Sequence, residues 1–192
     1  MGKGKTVMEI KATIKCNGAI YNGVSLKISQ MHLDRAMSES VALLERKVKE
    51  NIRKAPRIGV GGAKGGLLAS IHGETIQKGT PLIKGIVATQ SIYGEVIEKG
   101  RRPGRKMPPA DALDGWIDLK LGTRRRAFNS MDKVLAYTAW KKSVSFLIRR
   151  KIGKKGFPGI HMFERALADN LPQIQSIFER AAASITGEIN GK

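Results

Sequence analysis

Cysteine is almost absent: Cys16 is the single one in 192 residues. One thiol forms no internal disulfide and no thiolate metal cluster within a subunit, which points to folding in a reducing site. No stretch reaches the ~18 consecutive apolar residues of a membrane helix, so no span is expected. The basic start MGKGKTVMEIKATIKC contains no uninterrupted apolar core leading to a cleavage site, and export is not expected. Aromatic residues make up 5%, too few for a protein that stacks single-stranded bases on rings, so the core must be mainly aliphatic. Acids are scarce too: 16 Asp plus Glu face 35 Lys plus Arg, for a formal charge of +19. That excess implies a negatively charged partner without choosing between nucleic acid, lipid and acidic protein.

What is present suits one core with arms rather than two large domains, since a chain of this length buries roughly 70% of its unfolded surface. VMEIKATIKC from Val7 alternates loosely, Asn17 and Gly18 signal a turn, and AIYNGVSLKIS resumes a strand-like pattern, so residues 1–29 read as a hairpin or extended arm. From residue 30 the period changes. Leu33, Met37, Val41, Leu44, Val48 and Ile52 recur every three or four residues, predicting a helix of about twenty residues capped by Ser29 and stopped before Pro56. RIGVGGAKGG, residues 57–66, is a loop for want of side chains to bury. Residues 67–71 are a helical turn or the start of a strand, and PLIKGIVATQ and SIYGEVIEKG read as strands, with Gly94 marking a bulge or a close backbone approach.

KGRRPGRKMPP, residues 99–109, holds five cations, three prolines and no acid, and reads as an exposed basic loop. A short helix with Leu113, Trp116 and Ile117 inward follows, then a basic linker near 122–136. Residues 137–152 predict a helix with Tyr137, Trp140, Val144, Leu147 and Ile148 on one face and Lys141, Lys142, Arg149, Arg150 and Lys151 off it. KKGFPG breaks it. The last helix, to about residue 186, carries Phe163, Leu167, Leu171, Ile174, Phe178, Ala181 and Ile185, with a kink or break at Pro172 and a short tail over 187–192. The expected class is α+β: a small antiparallel sheet against two or more amphipathic helices, with long Gly-rich and basic loops. The expected core comprises Met37, Val41, Leu44, Val48, Trp116, Trp140, Leu147, Phe163, Leu167 and Phe178.

Catalytic chemistry finds little support. GVGGAKGG fails the phosphate-loop pattern because Gly65, not Ser or Thr, follows Lys64, and fails the dinucleotide pattern because Lys64 stands where a third glycine is needed. Ser70 and His72 lack an orienting third group. His161 and Glu164 share a helix face but offer two metal ligands at most, and more readily orient the last helix. Asp111, Asp114 and Asp118 form the one acidic stripe that could serve a metal-dependent nuclease, although acids early in a short helix beside Arg101, Arg102 and Arg105 have a plain electrostatic reading. Neither cofactor nor metal is expected. Binding is better supported: residues 99–106, 124–126 and 149–155 are three cationic clusters that a phosphate backbone or an acidic protein would reward.

The order of segments carries a resemblance. A helix, then a Gly-rich stretch into GGLLASIHG, YGEVIEKG into RRPGRKMPPADALDGWIDLKLG, then WKKSVSFLIRRKIGKKGFPG and HMFERAL resembles the neck and tail-completion proteins of long-tailed bacteriophages, over roughly residues 30–180. The most specific parts are residues 100–116 and 148–167. The resemblance implies a non-enzymatic structural protein of the virion, assembled in the host cytoplasm as a ring-forming, hexameric homo-oligomer at the head–tail junction. Its implied partners are head-closure or connector proteins and tail-tube or terminator proteins, with DNA nearby and no membrane. It implies one domain over residues 30–186 and contacts to neighbours through Lys64, Tyr93, Glu98, Arg101, Arg102, Arg105, Lys106, Arg124, Arg125, Arg126, Arg149, Arg150, Lys154 and Lys155, with residues 157–163 anchoring the last helix. The extension before Gln30 and the linker over 124–136 depart from the simpler members. A nonspecific DNA-binding protein is the alternative reading, and a nuclease the second.

Overall fold

A computed structural model describes residues 7–11, 23–55, 66–80, 82–91, 93–109, 113, 117 and 131–190. Strand β1 (Val7–Lys11) precedes a 32-residue helix α1 (Gly23–Lys54), the hairpin strands β2 (Ile71–Ile76) and β3 (Lys84–Thr89), and the short helix α2 (Gly94–Lys99). Next come β4 (Gly100–Arg101), α3 (Met131–Lys155), β5 (Phe157–Pro158) and α4 (Met162–Asn190). The class is α+β, with mixed helices and a small antiparallel sheet.

β3 lies centrally in a three-stranded sheet of order β1-β3-β2. The strand expected from residue 7 forms, but its partner is β3, with Val7 opposite Ala88 and Lys11 opposite Lys84. Residues 23–29, expected in the returning part of that arm, are already helical. AIYNGVSLKIS was therefore misread at its C-terminal end, and Ser29 is not a cap. It lies buried in α1, its hydroxyl donating to the carbonyl of Ser25 at 2.9 Å; Ser40 does the same to Ala36 at 2.8 Å. A hydroxyl satisfied one turn back lets serine pack as a small residue in a helix interior.

α1 lies across one face of the sheet and against α4. Ile71, Val87 and Thr89 turn inward, and Gly73 and Gly85 leave room for the helix: a Cβ on Gly85 would sit 2.5 Å from Val41 Cγ2 and 2.7 Å from Met37 Sδ. α1 and α4 run antiparallel, as three long-range contacts fix: His32 with Glu188 at 2.9 Å, Arg180 with Glu39 at 3.0 Å, and Asn51 with the Met162 carbonyl at 3.1 Å. Met37, Val41, Leu44, Val48, Met162, Phe163, Ala166, Ile174, Ile177 and Ala181 fill the core between these elements. Leu167 and Phe178 pack on its margin.

Several expectations are corrected. α4 continues through Pro172 as one helix rather than two abutting ones, and Leu171 is exposed where Ile177 is buried. YGEVIEKG is not a strand: α2 begins at Gly94, which packs on Thr89, where a Cβ would fall 2.3 Å from Thr89 Cγ2. Leu147 is not core. It is 59% exposed, Trp140 is half-buried against Tyr137, and no α3 residue belongs to the core cluster. α3 also starts at Met131, inside the expected linker. Trp116, Pro56, Asn17 and Gly18, the loop over 57–65 and the linker over 122–130 lie outside the described residues.

Candidate functional site

The site grows from a backbone crossing. α2 ends at Gly100 with φ of 77°, and the chain enters β4, where Gly100 faces Pro158 and Arg101 faces Phe157 of β5. The two segments touch through glycine. A Cβ on Gly156, which has φ of 61°, would lie 2.0 Å from the Arg101 carbonyl oxygen, and one on Gly159 would lie 2.2 Å from that of Glu98. No larger residue fits these positions without moving the backbone.

Glu98 locks the crossing. It is 7% exposed, and its carboxylate accepts hydrogen bonds from the backbone N–H of Phe163, at 3.1 and 3.2 Å to its two oxygens, and of Glu164 at 3.1 Å. Its carbonyl accepts from His161 N at 3.1 Å and that of Ile97 from Ile160 N at 3.0 Å. A carboxylate here satisfies open amides of the α4 N-terminus and opposes the positive end of its dipole. Glu98 is therefore a cap for α4. His161 and Glu164 meet at 2.7 Å on the outside of the same turn.

Beyond β4 the basic loop folds back onto α3. The guanidinium of Arg101 donates to the carbonyl of Lys106, and Arg149 Nε donates to that of Pro108 at 2.7 Å. Gly153 lets the loop lie close: a Cβ there would stand 3.0 Å from the Arg105 carbonyl oxygen and 3.3 Å from Met107 Cγ. The result is an open hollow of about 530 Å³ lined by Val96, Gly100, Arg101, Arg102, Arg105 and Lys106. Arg102, Arg105 and Lys106 are exposed, as are Arg150, Lys151, Lys154 and Lys155 on the last turns of α3. Arg101 Nε is buried and has no hydrogen-bond partner among the described residues.

Two of the three sequence clusters thus form one face. Arg124, Arg125, Arg126 and Lys64 lie outside the described residues, as do Asp111, Asp114 and Asp118. Tyr93 is exposed at the start of α2. Ser70 Oγ bonds the Leu67 carbonyl and Thr89 Oγ1 rather than His72. Among the described residues no three His, Cys, Asp or Glu side chains converge on a metal position, and no helix is long and apolar enough to cross a membrane. The Glu98 cap was missed by the sequence reading, and the one available signal was a single acid followed by an acid-free run to Pro109. In comparisons with known proteins, no family, curated protein or solved structure matches the chain.

Proposed function

We propose that this chain is a structural, non-catalytic component of a long-tailed bacteriophage virion, which oligomerises as a ring at the head–tail junction and completes or connects the tail. The observation that carries this reading is α3. It is a 25-residue helix outside the core whose Met131, Leu135, Phe146 and Leu147 side chains are exposed, at 73%, 62%, 47% and 59%. Apolar side chains of this size left in water on one element suit a surface that a neighbour covers on assembly. Neighbouring rings above and below supply the head-closure and tail-tube partners.

The test is assembly state and location. Purified protein should give discrete multimers by mass photometry, and mass spectrometry of purified particles should detect the chain. A strictly monomeric protein that is absent from particles would overturn the proposal.

A further inference from the structure

The basic hollow combines three observations that narrow the chemistry of its ligand. First, no acidic side chain among the described residues neutralises its charges from within. Residues 99–109 and 133–161 contain no acid, and the two guanidiniums that position the loop, Arg101 and Arg149, are held by backbone carbonyls, which leave their charge intact. The two nearby carboxylates among the described residues are engaged elsewhere, Glu95 with Lys99 at 2.9 Å and Glu98 with the α4 amides. Second, Val96 is the one apolar side chain among the described lining residues, which therefore offer no dry apolar centre of the kind on which protein interfaces draw most of their energy. Third, none of the described lining residues is aromatic, so among them unpaired bases find nothing to stack on.

We propose that this face, formed by Arg101, Arg102, Arg105 and Lys106 with the cationic end of α3, binds the phosphate backbone of double-stranded DNA without reading its sequence. A duplex presents one charge per ~1.7 Å of axis, and release of its condensed counterions rewards a surface dense in unpaired cations. The last turns of α3, from Arg149 to Lys155, extend the face by ~9 Å at 1.5 Å per residue, room for roughly three to five phosphates together with the loop. The partially buried Arg101 supplies a fixed donor in the wall, while the exposed Arg102 and Arg105 follow the backbone wherever it lies. This inference stands whether or not the chain belongs to a virion.

Fluorescence anisotropy of the full chain with a labelled mixed-sequence duplex, the corresponding single strand and poly-glutamate tests it. The duplex should bind most tightly, with log Kd against log salt changing by roughly three to five per decade. Arg102→Glu together with Arg105→Glu should weaken duplex binding roughly tenfold or more and reduce the salt slope by about two. Arg35→Glu with Lys78→Glu removes the same charge elsewhere on the surface and should change affinity less than about threefold. Unchanged melting by circular dichroism keeps the comparison to binding. Equal losses in the two double variants, salt-insensitive binding, or poly-glutamate bound as tightly as the duplex would each overturn the proposal, the last in favour of an acidic protein partner.

Discussion

Glu98→Ala strips the carboxylate acceptor from the N–H groups of Phe163 and Glu164 at a place where water has little access. Buried donors left unmet cost about 1–3 kcal/mol, so urea unfolding should show a loss of that size. Glu45 acts differently. Burial alone would raise its carboxyl, but the hydrogen bond from Lys49, the Gly73 N–H at 2.9 Å, and the charges of Lys49 and His72 together hold it below the usual value of 4.5. A depressed folded-state value means its contribution is present above the unfolded value and is lost as pH falls through the folded one. Stability should therefore decline on acidification below the ordinary carboxylate range, and Glu45→Gln should lose part of that decline in urea titrations across pH. Neither role was legible in the sequence. Nothing in the sequence sets Glu45 apart from the other charged residues of the first helix, and Glu98 caps a helix that starts more than sixty residues later, beyond the reach of any local pattern.

Among the elements, the long helices were readable because α1 and α4 repeat their apolar positions over many turns. α2 was not, since GEVIEK spans fewer than two turns and a six-residue segment barely separates a period of 3.6 from one of 2. Its helical state is decided by Gly94 packing on Thr89 and by the turn beyond Gly100. The basic loop was legible as a loop, but its docking on α3 depends on Gly153, which the sequence shows only as a glycine near a helix end. Gly153→Val should lift residues 105–107 off α3 while leaving the α1, α4 and sheet core intact. Faster trypsin cleavage after Arg105 and Lys106, with unchanged helical circular dichroism, is the expected result. Cleavage at the wild-type rate would mean that the loop is not held there.

For the whole molecule, the core of α1, α4 and the sheet stands apart from α3, so stability is expected to be uneven. Amides of α3 should exchange with solvent faster than those of α1 and α4, because none of its side chains belongs to the core cluster. Phe163→Ala, by contrast, should cost about 3–5 kcal/mol, since it empties a buried site between α4 and its cap. Hydrogen exchange and urea midpoints check the two. The sequence by itself determined the α+β class, the aliphatic core of the first and last helices, the central strand and the cationic excess, all of which rest on composition or on contacts within a few residues. Only the tertiary structure decided that β1 joins β3, that Glu98 is consumed as a cap, that Leu147 faces outward, and that two cationic stretches some fifty residues apart form one face. The physical reason is that these are settled by where distant segments meet, and at the Glu98 crossing and the docked loop that meeting is permitted by glycines whose missing side chains leave room for the other backbone.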